Sequence, residues 1–529
     1  MKKWYQKSIA IFMAAACLFV GGTIGLARDA LPQLQLTAEA EDKLYTGESD
    51  GLQLNYEELE DGTIEITKFV NSTSTDIELP AVIDGKSVTS IGSSAFFDCI
   101  NLTSVTIPDG VTSIGNLTFS GCISLTNIRI PDSVMYIGEQ VFYDCFSLTN
   151  ITIPDNITSI RNGMFFNCYS LTNLIIPDNV FDIEWGAFYG CTSLTTITIP
   201  EHVISINDSA FSACSCLTEI IVDSNNHSYS SEDGVLFDKE LQTIVCYPAG
   251  KKQESFTIPD SVRSIGEQAF YKCTGLKSIT IPDSVESIGF IAFSDCSNLT
   301  EIIVDSGNNS YASQDGVLFS KNLETLICCP EGKTGTFIIP DNVTNIENFA
   351  FYRCSNLISI VIPDDVKIIE CCTFYDCNNL ISIVIPNSVT SIGDSAFYGC
   401  DNLMNIHYKG TKSEWNKISI GDFAIPSDTM IHYKSEPAKS NLPTIRGDVD
   451  GNNTVEVSDA VKILNYYSQK AAGLNPVFSE TATENEAIFN LADVDKDGEI
   501  TVQDAVLILT YYAKAASGGQ PTWEQLTSA

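Results

Sequence analysis

Between residues 85 and 403, hydrophobic and polar positions recur along this chain with a period of 23. Each unit opens on an apolar–polar alternation, as in Leu102-Thr-Ser-Val-Thr-Ile107, and a proline follows it. The alternation predicts a short strand with one buried face, and the proline ends its hydrogen-bonding ladder. Spaced Val, Ile, Ala, Phe and Cys residues in the rest of the unit predict a second apolar arc. A fixed period of this length indicates coils stacked into a solenoid rather than a globular fold.

Proline and cysteine landmarks keep the units in register. The prolines fall in three runs with this spacing: Pro108, Pro131, Pro154, Pro177 and Pro200; Pro259 and Pro282; Pro340, Pro363 and Pro386. A phenylalanine stands three positions before each of eleven cysteines, from Cys99 to Cys400. The Ile-Pro-Asp, Ile-Gly and Ala-Phe-x-x-Cys elements resemble the 23-residue leucine-rich repeats of BspA-like bacterial surface proteins. The resemblance implies a β-rich, right-handed leucine-rich-repeat solenoid over residues 87–403.

Two longer units interrupt the repeat, with extra residues at 223–256 and 305–337. Each contains Asp-Gly between apolar segments, a dipeptide typical of tight hairpin turns. We therefore expect two β-hairpin excursions on one edge of the array. Two interpretations of them stay open, namely structural spacers that restore the stacking, or the seat of a hidden activity.

The segments flanking the repeats predict how the solenoid is closed. Residues 41–86 contain a polar-alternating strand and are expected to form an N-terminal cap, and residues 404–433 a C-terminal cap, because the end coils of a solenoid expose apolar surface. Pro, Lys, Ser and Asn dominate residues 434–446, which predicts a linker. Residues 519–529 are expected to be a tail.

The first 40 residues have the features of a secretory signal peptide. Lysines precede an apolar run from Ile9 to Ala27, and Ala38-Glu39-Ala40 supplies a small-x-small cleavage site. Cleavage near Ala27 and an uncleaved membrane anchor are the alternatives. With cleavage at residue 40, the chain is expected to be secreted, and no membrane association is expected afterwards.

Two acidic loops lie 45 residues apart near the end of the sequence, at 448–459 and 493–504. Ca²⁺ requires six to eight oxygen ligands, and alternating residues of a tight loop can supply them. The expected ligands, with Thr454 and Glu499 acting through their carbonyl oxygens, are Asp448, Asp450, Asn452, Thr454 and Asp459 in one loop, and Asp493, Asp495, Asp497, Glu499 and Asp504 in the other. We therefore predict two bound Ca²⁺ ions.

Each acidic loop leads directly into a predicted helix and ends on Asp rather than Glu, and the sequence predicts no helix entering either loop. A pair of such loops resembles a dockerin, and the resemblance implies a small all-α calcium-binding domain over residues 447–518. It also implies a partner, the cohesin module of a cellulosome-like scaffoldin, and hence a role in polysaccharide catabolism. By resemblance the cohesin contacts are Val457, Ser458, Val461, Lys462, Val502, Gln503, Val506 and Leu507.

Composition narrows the possible partners and chemistry. Lys and Arg number 29 against 67 Asp and Glu, a net charge of −38. Nucleic acids attract basic patches, so a nucleic-acid partner is not expected. The four histidines stand in no recognisable catalytic or zinc-binding arrangement. We therefore expect no catalytic residues, and no cofactor beyond calcium.

The repeat-array cysteines are predicted to be small buried residues rather than disulfide partners. Equivalent side chains of stacked coils lie parallel, about 4.8 Å apart, whereas a disulfide needs two converging Cβ atoms. The redox state of two adjacent pairs outside this register stays open: Cys328 with Cys329, and Cys371 with Cys372.

The strand residues between buried positions should form an exposed sheet, expected to be concave. Thr and Asn dominate its first half, and apolar residues dominate its far end. A contiguous exposed apolar strip favours a partner-binding surface, although β propensity alone also selects such residues. The candidate ligand-binding residues are Ile338, Ile358, Val361, Ile381 and Val384.

These observations favour a secreted, monomeric, non-catalytic adaptor. Its array would bind a protein or cell-surface ligand, and its dockerin would attach it through calcium and a cohesin to a scaffold. The alternative is an enzyme or peptidase modulator tethered in the same way, with its activity in the excursions.

Overall fold

The computed structural model describes residues 43–47, 51–434, 446–450, 454–471, 476–478, 488–517 and 519–527. The predicted signal peptide and most of the predicted linker lie outside these residues. The chain divides into two compact units. The first comprises Met1–Lys409 and Glu414–His432, and the second comprises Gly410–Ser413 and Tyr433–Ala529.

The first unit is a β-solenoid of about 16 turns, each of about 23 residues. It opens with an antiparallel meander of β1 (Lys43–Thr46), β2 (Gln53–Glu58) and β3 (Ile64–Asn71). β3 then pairs in parallel with a strand of the first coil, Lys86–Ile91. The inward residues of the meander, such as Leu54 and Ile66, are fully buried, so the meander covers the first end of the solenoid core.

Two parallel ladders run along the array. The first, the strand ladder, consists of β4 (Asp76–Glu78), β7 (Ser104–Thr106), β9 (Asn127–Arg129), β13 (Thr196–Ile199), β15 (Glu219–Val222), β19 (Ser255–Thr257), β21 (Ser278–Ile281), β23 (Glu301–Val304), β27 (Gly335–Ile338), β29 (Leu357–Val361), β31 (Ser382–Ile385), β33 (Asn405–Tyr408) and β35 (Met430–Tyr433). Single bridges through Asn150 and Asn173 continue this ladder after β9. Most paired residues are 23 apart, so the sequence period is the register of the sheet.

The second ladder, the Ser-Ile ladder, lies at the Ile-Gly element of each unit. Its members are β6 (Lys86–Ile91), with the short β5 (Val82–Ile83) beside it, β8 (Ser113–Ile114), β10 (Tyr136–Ile137), β11 (Ser159–Ile160), β12 (Asp182–Ile183), β14 (Ser205–Ile206), β18 (Thr243–Cys246), β20 (Ser264–Ile265), β22 (Ser287–Ile288), β26 (Thr325–Cys328), β28 (Asn345–Ile346), β30 (Ile368–Ile369), β32 (Ser391–Ile392) and β34 (Ser419–Ile420). Each two-residue strand buries its second residue, an isoleucine, except that Ile288 is half-buried and Ile420 is exposed.

Phenylalanine rings form the centre of the core. The rings of Phe119, Phe142 and Phe165 stack with centroids 5.9 and 5.6 Å apart, and all three are fully buried. Burial of one such side chain stabilises the fold by about 1.5–3 kcal/mol. Each ring is packed between those of its neighbours, so every coil depends on the next.

The cysteines that recur every 23 residues are buried as predicted, and they also act as hydrogen-bond donors. Cys145 Sγ donates to the carbonyl oxygen of Phe119, 3.2 Å away, and Cys168 Sγ donates to that of Phe142 at the same distance. The same oxygens also accept a backbone N–H, from Cys122 at Phe119 and from Cys145 at Phe142, so each thiol supplies a second donor to a buried carbonyl. All seventeen cysteines in the described part of the chain are free thiols, including Cys328, Cys329, Cys371 and Cys372.

The two excursions are β-hairpins, as predicted, formed by β16 (Tyr229–Glu232) with β17 (Val235–Asp238), and by β24 (Tyr311–Gln314) with β25 (Val317–Ser320). In the first turn, Asp233 and Gly234 both have positive φ, 47° and 74°. That conformation defines the tight turn for which Asp-Gly is favoured. β17 and β25 then pair with β18 and β26, which rejoin the Ser-Ile ladder.

Each excursion also closes the coil that precedes it. The Ile206 N–H donates a hydrogen bond to the Tyr229 hydroxyl, 2.8 Å away. The hydroxyl thus replaces the acceptor that the next strand of the ladder would supply. The fully buried Asn226 donates to the carbonyl oxygens of Pro200 and Val203, at 2.7 and 3.0 Å. Asn308 and Tyr311 repeat these contacts in the second excursion. The contacts support the structural-spacer interpretation of both hairpins.

At the far end of the array, α1 (Lys412–Trp415) precedes the last two strands. The Trp415 ring is 7% exposed and packs edge-on against the Tyr408 ring, with centroids 5.1 Å apart.

The second unit is helical. Its helices are α2 (Val457–Ala471), α3 (Val502–Ala516) and α4 (Trp523–Thr527), and residues 488–492 form a further helical segment. A small core between them contains the buried Ile463, Val494 and Ile508. Within the residues that the structure describes, no helix combines the length and apolar character needed to cross a bilayer.

Candidate calcium loops and recognition surfaces

The second acidic loop brings three carboxylates together at the start of α3. Asp493, Asp495 and Asp504 each offer an oxygen, and these oxygens lie within 4.8 Å of one another. Asp504 is fully buried, and its two oxygens accept the N–H groups of Val494 and Thr501 at 2.8 and 2.9 Å. The loop backbone and the capped N-terminus of α3 therefore hold this carboxylate in place.

The tight turn of this loop depends on glycine. Gly498 has φ of +88°, a left-handed conformation that disfavours other residues. Its N–H donates to Asp493 Oδ2 at 2.9 Å. Asp497, also a predicted ligand, accepts the Glu499 N–H at 2.8 Å and is not one of the three converging carboxylates.

The first acidic loop has the same arrangement at the start of α2. Oxygens of Asp448, Asp450 and Asp459 lie within 4.8 Å of one another. Asp459 is fully buried, and it accepts the N–H groups of Val449 and Glu456 at 2.6 and 2.8 Å. Thr454 lies in this loop, whereas the predicted ligand Asn452 is outside the described residues.

The electrostatics of both loops suit a hard cation. Burial raises the pKa of Asp459 to about 6 and also raises that of Asp504. Three carboxylates held this close repel one another, and a divalent cation with oxygen preference removes the repulsion. The residues present therefore fit calcium. These two loops are the metal-compatible groups found within the described residues.

The cohesin contacts implied by resemblance fall on the two helices that follow the loops. Val457, Val461, Val502 and Val506 are 43–46% exposed. Gln503 and Lys462 are also exposed, whereas Ser458 is half-buried and donates to Asp450 Oδ2 at 2.7 Å.

One predicted contact needs correction. Leu507 is only 7% exposed and belongs to the small core, because its position on α3 faces inward. It is therefore not available to a partner, although its counterpart Lys462 is exposed.

Further exposed apolar residues extend the helical surface. Leu464 and Leu509 are 38% and 39% exposed, and Tyr467 and Tyr512 are 39% and 40% exposed. All lie 45 residues apart in pairs, like the acidic loops. Tyr466 and Tyr511 pack against the core instead. Four of these six residues therefore lie at the surface of the helices, and two pack against the core.

The predicted apolar strip lies in register across adjacent strands. Ile338 pairs with Val361, Val361 with Val384, and Val384 with His407. Ile338, Ile358 and Ile381 are 57%, 48% and 44% exposed. Val361 and Val384 are half-buried between them. Each of the five candidate residues is at least partly exposed, and together we call them the strip.

Sequence reasoning missed two aromatic rows elsewhere on the coils. The rings of Tyr143, Phe166 and Tyr189 stack with centroids 4.7 and 4.4 Å apart. Phe146 and Tyr169 form another stack, with a 4.9 Å separation and Tyr169 41% exposed. The signal was available, because the residue after each core phenylalanine and the residue after each cysteine follow the same period.

Comparison with known proteins agrees with this architecture. The family model described as BspA type leucine rich repeat region matches residues 62–184, 136–246, 242–334 and 328–430. The family model described as dockerin type I domain matches residues 446–511. Dockerin type I domains bind calcium. No curated protein sequence matches the chain.

Several solved structures are similar. A leucine rich cell surface protein from Faecalibacterium prausnitzii is 34% identical and is covered to 97%, with 71% of this chain covered and a TM-score of 0.48. A leucine-rich repeat protein from Bacteroides ovatus is 24% identical and is covered to 100%, with 76% of this chain covered and a TM-score of 0.39. The pneumococcal vaccine antigen PcpA is 20% identical and is covered to 99%, with 75% of this chain covered and a TM-score of 0.49. The chain therefore belongs to the BspA-type leucine-rich-repeat proteins and carries a dockerin type I domain.

Proposed function

We propose that this protein is a secreted, non-catalytic adaptor. Its dockerin attaches it to a scaffold through calcium-dependent binding to a cohesin, and its repeat array binds a protein or cell-surface ligand. The observation that carries the proposal is the pairing of two acidic loops with two helices that expose matching apolar residues.

Two Ca²⁺ ions, one in each acidic loop, would fix the start of both helices. The predicted ligands of each loop include the residue that caps its helix, Asp459 or Asp504. The ions therefore set where Val457, Val461, Val502 and Val506 lie relative to the core. Because metal binding and folding are coupled in domains this small, cohesin binding should require calcium.

The strip is the proposed ligand surface of the array. Its residues come from strands that are rigidly paired, so the surface is largely preformed. Exposed apolar side chains that share one face favour a macromolecular partner over a small solute. The absence of a sugar-stacking aromatic row among the five strip residues favours a protein or cell-surface ligand over a polysaccharide.

The alternative function, an enzyme or peptidase modulator, would place its activity in the excursions. Their tyrosine and asparagine side chains instead hold the preceding coil, through Tyr229, Asn226 and their counterparts. We therefore favour the adaptor, and an activity that survives loss of ligand binding would contradict it.

Cohesin binding can be tested with the full-length protein and an immobilised type I cohesin. We expect binding in calcium and none after chelation. Val461→Asp combined with Val506→Asp should abolish binding, because charge would be buried at the interface on both helices. Lys470→Asp, on an exposed position of the last turn of α2, is the control. Binding that persists in chelator, or in the double variant with its helical content intact, would contradict the proposal.

A further inference from the structure

A buried carboxylate lies at the point where the second excursion rejoins the array. Asp295 is only 5% exposed, and its Oδ1 atom accepts a hydrogen bond from Arg353 Nη1 at 2.6 Å. Its other oxygen, Oδ2, is buried and has no hydrogen-bond partner in the structure. Such an atom is rare in folded proteins and calls for a physical explanation.

A second carboxyl group lies beside it. Glu331, in the Pro-Glu-Gly segment that closes the excursion, is 6% exposed, and one of its oxygens accepts the Asp295 N–H. Two buried carboxyl groups on residues joined by this hydrogen bond do not both ionise at moderate cost. Burial, and then the charge of Asp295, hold the pKa of Glu331 well above its ordinary value.

Two cations lie near the pair of acids. Arg353 bonds to Asp295 and, through Nε, to Asp376 Oδ2 at 3.3 Å. Lys272, which also interacts with Asp295, is half-buried, and burial lowers its pKa. The other titratable groups that interact with the two acids are the phenol of Tyr271 and the thiols of Cys296, Cys328 and Cys354.

The first excursion supplies an internal comparison. Where the second has Asp295 and Glu331, the first has Ala213 and Ala249, and both alanines are buried. The hairpins otherwise share their turn, their tyrosine contact and their asparagine contact. The architecture of an excursion therefore does not require the two acids.

The position of the pair connects it to the joint between two sheets. The strand ladder is interrupted here, because β23 ends one sheet and β27 begins the next. Gly332, next to Glu331, donates its N–H to the Leu299 carbonyl oxygen at 2.8 Å, and Asn356 donates to the Glu331 carbonyl oxygen at 3.4 Å. The segment that carries Glu331 thus bridges the coils on both sides of the interruption.

We propose that Glu331 is protonated in the folded protein and donates its proton to Oδ2 of Asp295, which makes the second excursion a pH-sensitive joint that loosens as the pH rises. The proton satisfies the orphaned oxygen and leaves a single negative charge for Arg353. Loss of the proton would leave two adjacent buried anions.

Proton linkage determines whether the joint opens or closes as the pH rises. Below the ordinary glutamate pKa, the closed and opened joint both hold the proton. Above it, only the closed joint does, so the contribution of Glu331 to closure is lost as the pH rises toward its value in the closed state. One linked proton changes the opening equilibrium by about tenfold per pH unit.

Amide hydrogen exchange of the full-length protein tests this between about pH 5 and about pH 9. Peptides that contain Asp295 and Gly332 report opening of the joint, and peptides at Ala213 and Gly250 report the first excursion. Glu331→Gln keeps a donor for Oδ2 and cannot ionise. At the second excursion, the ratio of wild-type to Glu331→Gln protection should fall by up to about tenfold per pH unit. At the first excursion, the ratio should not change.

Asp295→Ala with Glu331→Ala, which restores the residue types of the first excursion, guards against misfolding of the single variant. It should show no pH-dependent opening relative to Glu331→Gln. Infrared difference spectra of wild type against Glu331→Gln should contain a protonated-carboxyl band at neutral pH. A constant ratio of wild-type to Glu331→Gln protection across the range, protection that increases with pH, or a missing band would overturn the proposal.

Discussion

The repeat array and the dockerin bury different kinds of residue. The largest fully buried side chains of the array are aromatic, and most are phenylalanines stacked from coil to coil, such as Phe119, Phe142 and Phe165. The buried residues of the dockerin include the carboxylates of Asp448, Asp459, Asp493 and Asp504. Apolar burial stabilises a fold without help, whereas buried carboxylates need a compensating cation. We therefore expect the array to fold without ions and the dockerin to depend on them.

The array and the dockerin also differ in the size of their hydrophobic cores. Every coil of the array adds apolar surface to a core that already exists, so stability accumulates with each repeat. Within its described residues, the dockerin has two main helices and a core cluster of ten buried apolar residues, among them Ile463 and Ile508. Domains with so little core usually require a metal, a disulfide or a partner.

Removal of calcium should give the largest difference between the two units. With chelator we expect the dockerin to lose its helical circular dichroism, while the β signal of the array is unchanged, because the carboxylate groups that could hold a metal ion among the described residues lie in the dockerin. Asp504→Asn should have a similar effect on the second loop, and Asp260→Asn, in a turn of the array, should have none. A dockerin that stays folded in chelator would contradict the comparison.

Loss of one ring from the phenylalanine stack should be the largest single-residue effect in the array. Phe165 is fully buried between Phe142 and Phe188, at 5.6 and 5.7 Å. Phe165→Ala should lower the free energy of unfolding by about 3–5 kcal/mol, because it leaves a cavity. Denaturant unfolding in the presence of calcium measures the change. The neighbouring Phe166→Ala, at a half-buried ring, is the control and should cost clearly less.

Removal of the thiol of one repeat cysteine should have a smaller effect. Cys168→Ala removes one of two donors to the Phe142 carbonyl oxygen, which also accepts the Cys145 N–H at 3.2 Å. We expect a loss of about 0.5–1.5 kcal/mol, the net contribution of one hydrogen bond, measured in the same unfolding experiment. Cys216→Ala, at the exposed cysteine outside the ladder, should be nearly neutral. Equal effects of the two variants would show that the S–H donor is unimportant.

Charge on the strip should change binding and leave stability almost unaffected. Val361→Asp with Val384→Asp places two carboxylates on partly exposed positions of the proposed ligand surface, and we expect retention on ligand-bearing cells or secreted proteins to be lost. Thr106→Asp with Thr152→Asp makes the matched change in the polar half of the same ladder. Normal retention of the strip variant, with an unchanged unfolding midpoint, would reduce the strip to ordinary sheet surface.

Much of the fold was predictable because it is periodic. The 23-residue step of Pro108, Pro131 and the later prolines equals the separation of paired strand residues, so the sequence period gives the strand register directly. The Asp-Gly turns were predictable for a local reason, since few dipeptides accept positive φ at both positions. The acidic loops were predictable because ligand geometry fixes their spacing.

Other features depended on side-chain direction, which composition does not specify. Leu507 looked equivalent to Lys462 by its place in the repeat, yet its side chain turns into the core. The second role of the ladder cysteines, as donors to the preceding coil, required knowledge of where each buried carbonyl points. Neither the aromatic rows nor their partial exposure follow from counting aromatic residues.

The sequence by itself determined the solenoid, its register, the two hairpins and the paired acidic loops, because each is encoded in contacts between residues at a fixed separation. The tertiary structure alone decided which residues of the helices and of the strip reach the surface, and that Asp295 meets Glu331. These two acids stand 36 residues apart, a separation that matches no period of the chain. They come together only because the second excursion folds back onto the coil before it.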